Sequence, residues 1–442
     1  MPWASAAGVL YTDLASAPRG APFTAFCADG ARQILTWQGD PLRACGVPLS
    51  LRTHEGRRWY VALDGSDAHC MPDAPVAPCR TVNALVQHGR ARPGDVIYVR
   101  AGRYLAADAG NGWVQGSFIR PAVGGEPGRP IAVLAHPGEH VEVILDRRYR
   151  LFGHYESLRD FTVAGFRVVL TNGGTGNVVM VGVPVSAPTC RAPAKARGRA
   201  ERVRIVALEI DGEGRGGMAS GSGGDLIEVG TSKGAQVLGN HLHDMSPENP
   251  REPTHAIYLS APQRGTEIGW NRIEHIPHSR ALIQLHQDRF GGACWGGEQI
   301  SGVRIHDNVI DDVAGQALLL DGGVGSVDVG RNVISRVHRP GDHRYADVIA
   351  LRGSGGALRL DFHDNVLRVN PNAHEAGWVF GLGKRRWPAC PHSVTLTRNV
   401  IELTGPPGDT FVHREPWCSR TPLYGSGNRW IGAPAPALRR AP

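Results

Sequence analysis

Three residues of different chemistry end three similar short segments of this 442-residue chain. His286 follows Leu-Ile-Gln-Leu, Asp321 follows Ala-Leu-Leu-Leu, and Arg352 follows Val-Ile-Ala-Leu. An imidazole titrates near neutral pH and can take or give a proton. A guanidinium stays charged and grips a carboxylate through two parallel bonds. A carboxylate can hold a histidine in one tautomer, or bind a cation such as Ca2+. β-Elimination at a uronic acid needs groups of these kinds: one to neutralise the sugar carboxylate, a base for the C5 proton, and an acid for the leaving oxygen. Arg352 suits the first role, His286 or Tyr258 the second and third, and Asp321 the support of His286. His255, Gln284, Glu228, Asp347 and Trp378 stand in or beside equivalent segments and are expected to contact substrate. Lys233, one of only three lysines, is a secondary candidate at a turn. The competing expectation is a plain polar surface, with Asp321 and Arg352 forming an exposed ion pair of little energetic value.

Strand periodicity must position these groups. The segments are Leu226–Gly230, Ala256–Ser260, Leu282–His286, Ala317–Asp321, Val348–Arg352, Val379–Gly383 and Phe411–Glu415. Their second and fourth residues are mostly large and apolar, so these are expected to point inward and the first, third and fifth outward. After each segment comes another pattern, aliphatic-x-x-Asn-x-aliphatic, centred on Asn240, Asn271, Asn308, Asn332, Asn365 and Asn399, with a degenerate copy at Asn428. The Asn-to-Asn intervals are 31, 37, 24, 33, 34 and 29 residues. Each asparagine is expected at a corner between strands, in left-handed backbone, with its amide bonded to the asparagine one coil away. Such a period suits a solenoid. Leucine-rich repeats share the signature but are usually shorter, at about 20–29 residues, and carry a convex helical segment that is absent here. A right-handed parallel β-helix of about three strands per coil fits better, with like positions stacked about 4.8 Å apart.

Composition agrees. Gly 58 and Pro 32 make up about a fifth of the chain, which argues for many turns and against long helices. Of 48 basic residues, 48 − 3 = 45 are Arg, and the net charge is +7, which fits an anionic partner and equally a GC-rich genome that spells its basic residues as Arg. No run of about 18 apolar residues is present, so no membrane span is expected. The only basic run is Lys384-Arg385-Arg386, and a nucleic-acid partner is not expected. The eight cysteines lack a CxxC pair and read as disulfides of an exported protein; Cys70–Cys79 closing a short loop and Cys27–Cys45 are candidate pairs, though sequence alone does not fix the connectivity. Met1–Ala7 has no leader character, so either the chain begins near a cleavage site or the protein is cytosolic with free thiols; the first is the expectation, with a monomer working outside the cell or in the periplasm. No metal site is expected, because His136 and His140 straddle a Pro-Gly turn. His275, His278, His306, His338 and His343 read as solvated turn residues, and the Asp311-Asp312 pair likewise. Trp270, Trp295, Trp378 and Trp387 could stack on sugars, though covering the core is the simpler role.

Trp59-Tyr60-Val61-Ala62-Leu63-Asp64-Gly65-Ser66-Asp67 resembles the "YVxxDGxD" opening of bacterial right-handed β-helix proteins of the pectate-lyase-like superfamily. Cys79–Leu85, Arg92–Tyr104 and His255–Leu259 are similar to its following segments. The resemblance covers about residues 57–432 and implies an all-β right-handed parallel β-helix whose first coil is capped by a short helix. Residues 1–56 are then a small β-rich appendage or cap, 106–130 and 185–200 protruding loops, and 433–442 a flexible tail. The superfamily spans lyases, hydrolases, epimerases, tailspikes and adhesins. Its Asp-Pro-His-Asp, Trp-Ile-Asp-His, Gly-His-Gly and Arg-Ile-Lys activity motifs are missing here. A secreted polysaccharide lyase acting on an acidic, uronate-containing polysaccharide is the leading expectation. A glycoside hydrolase using Asp321 with Asp347 or Glu415, and a non-catalytic glycan-binding adhesin, are the alternatives.

Overall fold

A computed structural model describes four short strands within residues 22–49 and, from residue 56 on, most of the chain. Outside the described residues lie 110–115, 137–138, 146–148, 155–156, 172–176, 183–198, 214–223, 246–254, 261, 277–280, 288–296, 339–346, 354–357, 370–377, 384–389, 404–410, 433–434 and 441–442. The four early strands form two antiparallel pairs, Pro22–Phe26 with Arg32–Thr36 and Leu42–Ala44 with Val47–Leu49. Cys27–Cys45, His278, His343, Trp295, Trp387 and most of 185–200 fall outside the described residues.

Three long sheets, of twelve, eleven and ten strands, run side by side, and neighbouring strands within each are parallel. One coil shows the winding: Gln236–Leu238 in the first sheet, His241–His243 in the second, His255–Leu259 in the third, then Glu267–Gly269 back in the first. A strand that returns parallel to its own sheet must cross over, and such crossovers are right-handed almost without exception. The architecture is a right-handed parallel β-helix. The short helix Asn83–Val86 is fully buried against the first coils, as a cap. Among the described residues, no helix is long and apolar enough to cross a membrane.

The inward residues fuse into one core running from Trp59 to Leu423. In the third sheet the alternation is broken at the strand start. Leu226 and Ile227 both enter the core, as do Leu282 and Ile283, and Val348 and Ile349. The first residue of each segment therefore points inward, contrary to the sequence expectation, because the chain is still rounding the corner there. The residue before it takes the outward place, and Asp225, His255, Ala281, Gln316, Asp347 and Trp378 form a row.

The asparagine corners form a continuous ladder. Asn271 donates both its backbone N–H and its Nδ2 to Asn308 Oδ1, at 3.0 and 2.9 Å. The same two bonds link Asn240 to Asn271, Asn308 to Asn332, and so on to Asn428. The left-handed backbone belongs to the preceding residue, not to the asparagine: Trp270, Asp307, Arg331, Asp364 and Arg398 have φ of 54–57°. Turning at that residue aims the next amide along the stack. Two of these corners also pair across coils, Arg331 with Asp307 and Arg398 with Asp364, each through two guanidinium bonds.

Several expectations at the edges change. His306 is not a solvated turn residue: it is 3% exposed, bridging Glu267 at 3.0 Å and Asp307 at 2.8 Å, with Trp270 packed on it. Asp311 accepts bonds from Arg336 and Ser335. Residues 106–130 are not all loop, since Ser117–Ile119 opens the third sheet. The stretch read as a flexible tail pairs along the last strand of the first sheet, where Arg439 bonds Leu423 and Gly425 through its backbone. Cys70 pairs with Cys79, and Cys390 with Cys418.

Carboxylates held by cationic and hydrogen-bonding partners set an acid limit to stability. Burial alone would raise Asp307, but His306 and Arg331 outweigh it and hold its carboxyl below the usual value. Burial is likewise outweighed at Asp95 by Arg57, Arg92 and Trp59, and at Glu267 by His306 and Gln236. A group whose folded pKa is depressed stabilises the fold above its unfolded value, and that contribution is lost as pH falls through the folded value. The urea midpoint is therefore expected to fall steadily from about pH 5 to about pH 3. A flat midpoint across that range would contradict the assignment.

Candidate active site

The outward face of the third sheet gathers the chemistry. Successive strands bring Asp225, His255 and Ala281 into one row, Glu228, Tyr258, Gln284 and Leu319 into a second, and His286, Asp321 and Arg352 into a third. Five coils, from Asp225 to Arg352, thus span about 20 Å, enough for several sugar units laid along the stack.

At one end His255 Nδ1 lies 2.7 Å from Asp225 Oδ1, while its buried Nε2 has no hydrogen-bond partner. Asn177 links the two acidic residues: its Oδ1 accepts the Asp225 backbone N–H at 2.9 Å, and its Nδ2 donates to the Glu228 carboxylate. Burial pushes the Glu228 carboxyl up to about 7, and the Asp225 charge adds to the rise, while Ser260, Arg150 and Asn177 oppose it. Burial also draws the Arg150 guanidinium below its usual value, against the pull of Glu228. Arg150 is only 7% exposed, so the floor contains a fixed cation beside a carboxyl that can carry a proton.

Above this floor the Tyr258 hydroxyl is hydrogen-bonded to His286 Nδ1 at 3.0 Å. The Tyr258 ring stacks on His255 with centroids 4.9 Å apart, which fixes the phenol's direction. Tyr258 and His286 are both partly exposed, whereas Gln284 and Leu319 beside them are buried. Asp321 follows His286 in register and is buried, and Arg352 follows Asp321. The salt bridge of Arg352 is to Asp347, at 3.9 Å, and the two side chains are only 10% and 13% exposed. This is a partly desolvated pair, unlike the exposed Asp321–Arg352 pair of the competing expectation.

Trp378 is the register neighbour of Asp347 and stacks on His413 at 3.8 Å between centroids, forming an aromatic end to the face. Lys233 lies apart from the cluster: it is exposed in a small four-stranded sheet, between Glu201 and Arg264. Arg150, Asn177 and Asp225 were not among the sequence candidates. Arg150 and Asn177 belong to coils that precede the first asparagine corner, so the repeat could not align them. Asp225 was visible only as the residue before its segment.

Gly381 shows how tightly Asp347 is seated, since a Cβ at 381 would fall 2.2 Å from the Asp347 Cγ. Gly381→Ala must displace that carboxylate and release Arg352. If the face is catalytic, this substitution is expected to lower kcat/KM by about 10-fold or more, since small displacements of positioning groups are costly. Unchanged kinetics in a folded variant would show that Asp347 and Arg352 are not used.

The geometry defines a parallel β-helix with an elongated, ionisable outer face. No protein-family model matches the chain, and no curated protein matches it. Among solved structures it is similar to a rhamnogalacturonan lyase, 15% identical, covering 80% of this chain and 75% of that one, with a TM-score of 0.43. It is similar to a pectate lyase at 12% identity, over 86% and 78% of the two chains, with a TM-score of 0.45. A lacto-N-biosidase from Eubacterium ramulus is 13% identical over 85% and 68%, with a TM-score of 0.43.

Proposed function

We propose that the outer face of the third sheet binds an acidic polysaccharide and cleaves it by β-elimination at a uronic acid. The observation that carries this reading is the Tyr258–His286 hydrogen bond, set between the buried Arg150 and the Arg352–Asp347 pair. His286 can take the phenolic proton through that bond, leaving the Tyr258 oxygen to accept the proton from C5. The C5–H electron pair forms the C4–C5 double bond as the C4–O bond breaks. His286 then returns its proton to the departing oxygen, and both side chains end as they began. Arg352 is suited to hold the uronate carboxylate and so ease loss of the neighbouring proton. The Asp225–His255 pair acts from below, through its stacking on Tyr258, as a positioning element.

The test is incubation with a panel of uronate polysaccharides while following the ultraviolet absorbance of the unsaturated product. Rising absorbance on at least one polymer supports the lyase reading. Reducing ends without absorbance would overturn it in favour of hydrolysis. One observation favours that second reading, namely that burial and the neighbouring Asp225 charge raise the Glu228 carboxyl to about 7, so that it can carry a proton to a leaving oxygen.

A further inference from the structure

A separate cluster lies on the second sheet. Strands Glu209–Asp211 and His241–His243 are register neighbours, with Asp211 opposite His243. One donor atom from each of Glu209, Asp211 and His243 lies within 4.8 Å of the others. His243 is 9% exposed, and its Nε2 is buried without a hydrogen-bond partner. That nitrogen faces Glu209 Oε1 at 3.7 Å, beyond hydrogen-bond reach. Two ligands each about 2.0–2.2 Å from a common ion stand about 3–4 Å apart, so the spacing suits coordination. His243 Nδ1 meets the Asp244 carboxylate at 2.6 Å. A carboxylate on the far nitrogen is what fixes the tautomer of a metal-ligating histidine and aims Nε2 at the ion. The His241 ring stacks on His243 at 4.1 Å and holds its plane.

Charge points the same way. Arg167 is shared by Glu142, Glu209 and Asp211, and Arg103 reaches only Glu142. With Asp244, four carboxylates face two guanidinium groups, and the further partners, His140 beside Glu142 and His275 beside Asp244, are imidazoles, leaving the cluster short of permanent positive charge.

We propose that Glu209, Asp211 and His243 form a binding site for a divalent transition-metal ion such as Zn2+, bracing two successive coils. An imidazole donor selects such an ion over Ca2+, which takes oxygen ligands. The site lies on a different sheet from the candidate active face and stands independently of the proposed reaction.

The test is calorimetric titration of Zn2+ into the full chain after dialysis against a chelator. One ion per chain is expected, with excess Ca2+ unable to displace it. His243→Ala should weaken the affinity by at least about 100-fold, and Asp244→Asn by about 10-fold. If His243→Ala fails to fold, Glu209→Gln keeps the side-chain size and should show a comparable loss. Co2+ in place of Zn2+ should give visible absorption that the His243 variant lacks. No Zn2+ binding, displacement by Ca2+, or binding unaffected by these replacements would overturn the proposal.

Discussion

Replacing Tyr258 by Phe is expected to lower kcat on the cleaved polysaccharide by about 10²–10⁴-fold, the usual share of a positioned acid–base group. The change removes one oxygen and keeps the ring that stacks on His255, so thermal stability should stay within a few degrees of the parent. His286→Gln should lose activity to a similar extent, because an amide can hydrogen-bond the phenol but cannot carry its proton. The double variant should be little worse than either single one, since the two groups move one proton between them. Measured kcat values for the three proteins check this. Multiplying losses would mean that Tyr258 and His286 act separately, and a fully active Tyr258→Phe would remove the proposed chemistry from this face.

Asn308→Ala is expected to cost about 2–5 kcal/mol of stability, because several buried hydrogen-bonding groups are stranded at once. Asn308 Oδ1 accepts from both the backbone N–H and the amide of Asn271. Its Nδ2 donates to Asn332 Oδ1 and to the carbonyl oxygens of Ile268 and His306. Asn308 is fully buried, so water cannot take these places without opening the stack. Asn428→Ala at the end of the ladder should cost visibly less, since that residue is only partly buried. Urea unfolding of the two variants measures the difference. Equal costs would mean that the ladder's buried bonds contribute no more than those at its open end.

Much of this was legible in the chain. The alternation in Leu282–His286 and its equivalents predicted which residues would share a face, and the pairings His286↔Asp321 and Asp321↔Arg352 follow that prediction. The asparagine spacing predicted a corner in each coil. It misplaced the left-handed residue, because an amide aimed along the stack requires the turn one residue earlier. At the strand starts the period-two rule failed, since Leu226 and Ile227 both face the core while the chain bends.

The sequence by itself determined the solenoid, its coil length and the order of the third and fifth side chains of each segment along the outer face, because those depend on periodicities of two and of one coil that are written locally. Only the tertiary structure decided which side chains meet. Arg352 reaches Asp347 and not Asp321, Asn177 reaches Glu228 from an earlier coil, and His243 faces Glu209 across two strands. Register fixes where each Cα lies, but a long side chain can reach several neighbours. Burial and the hydrogen bonds left over in the folded stack select among them.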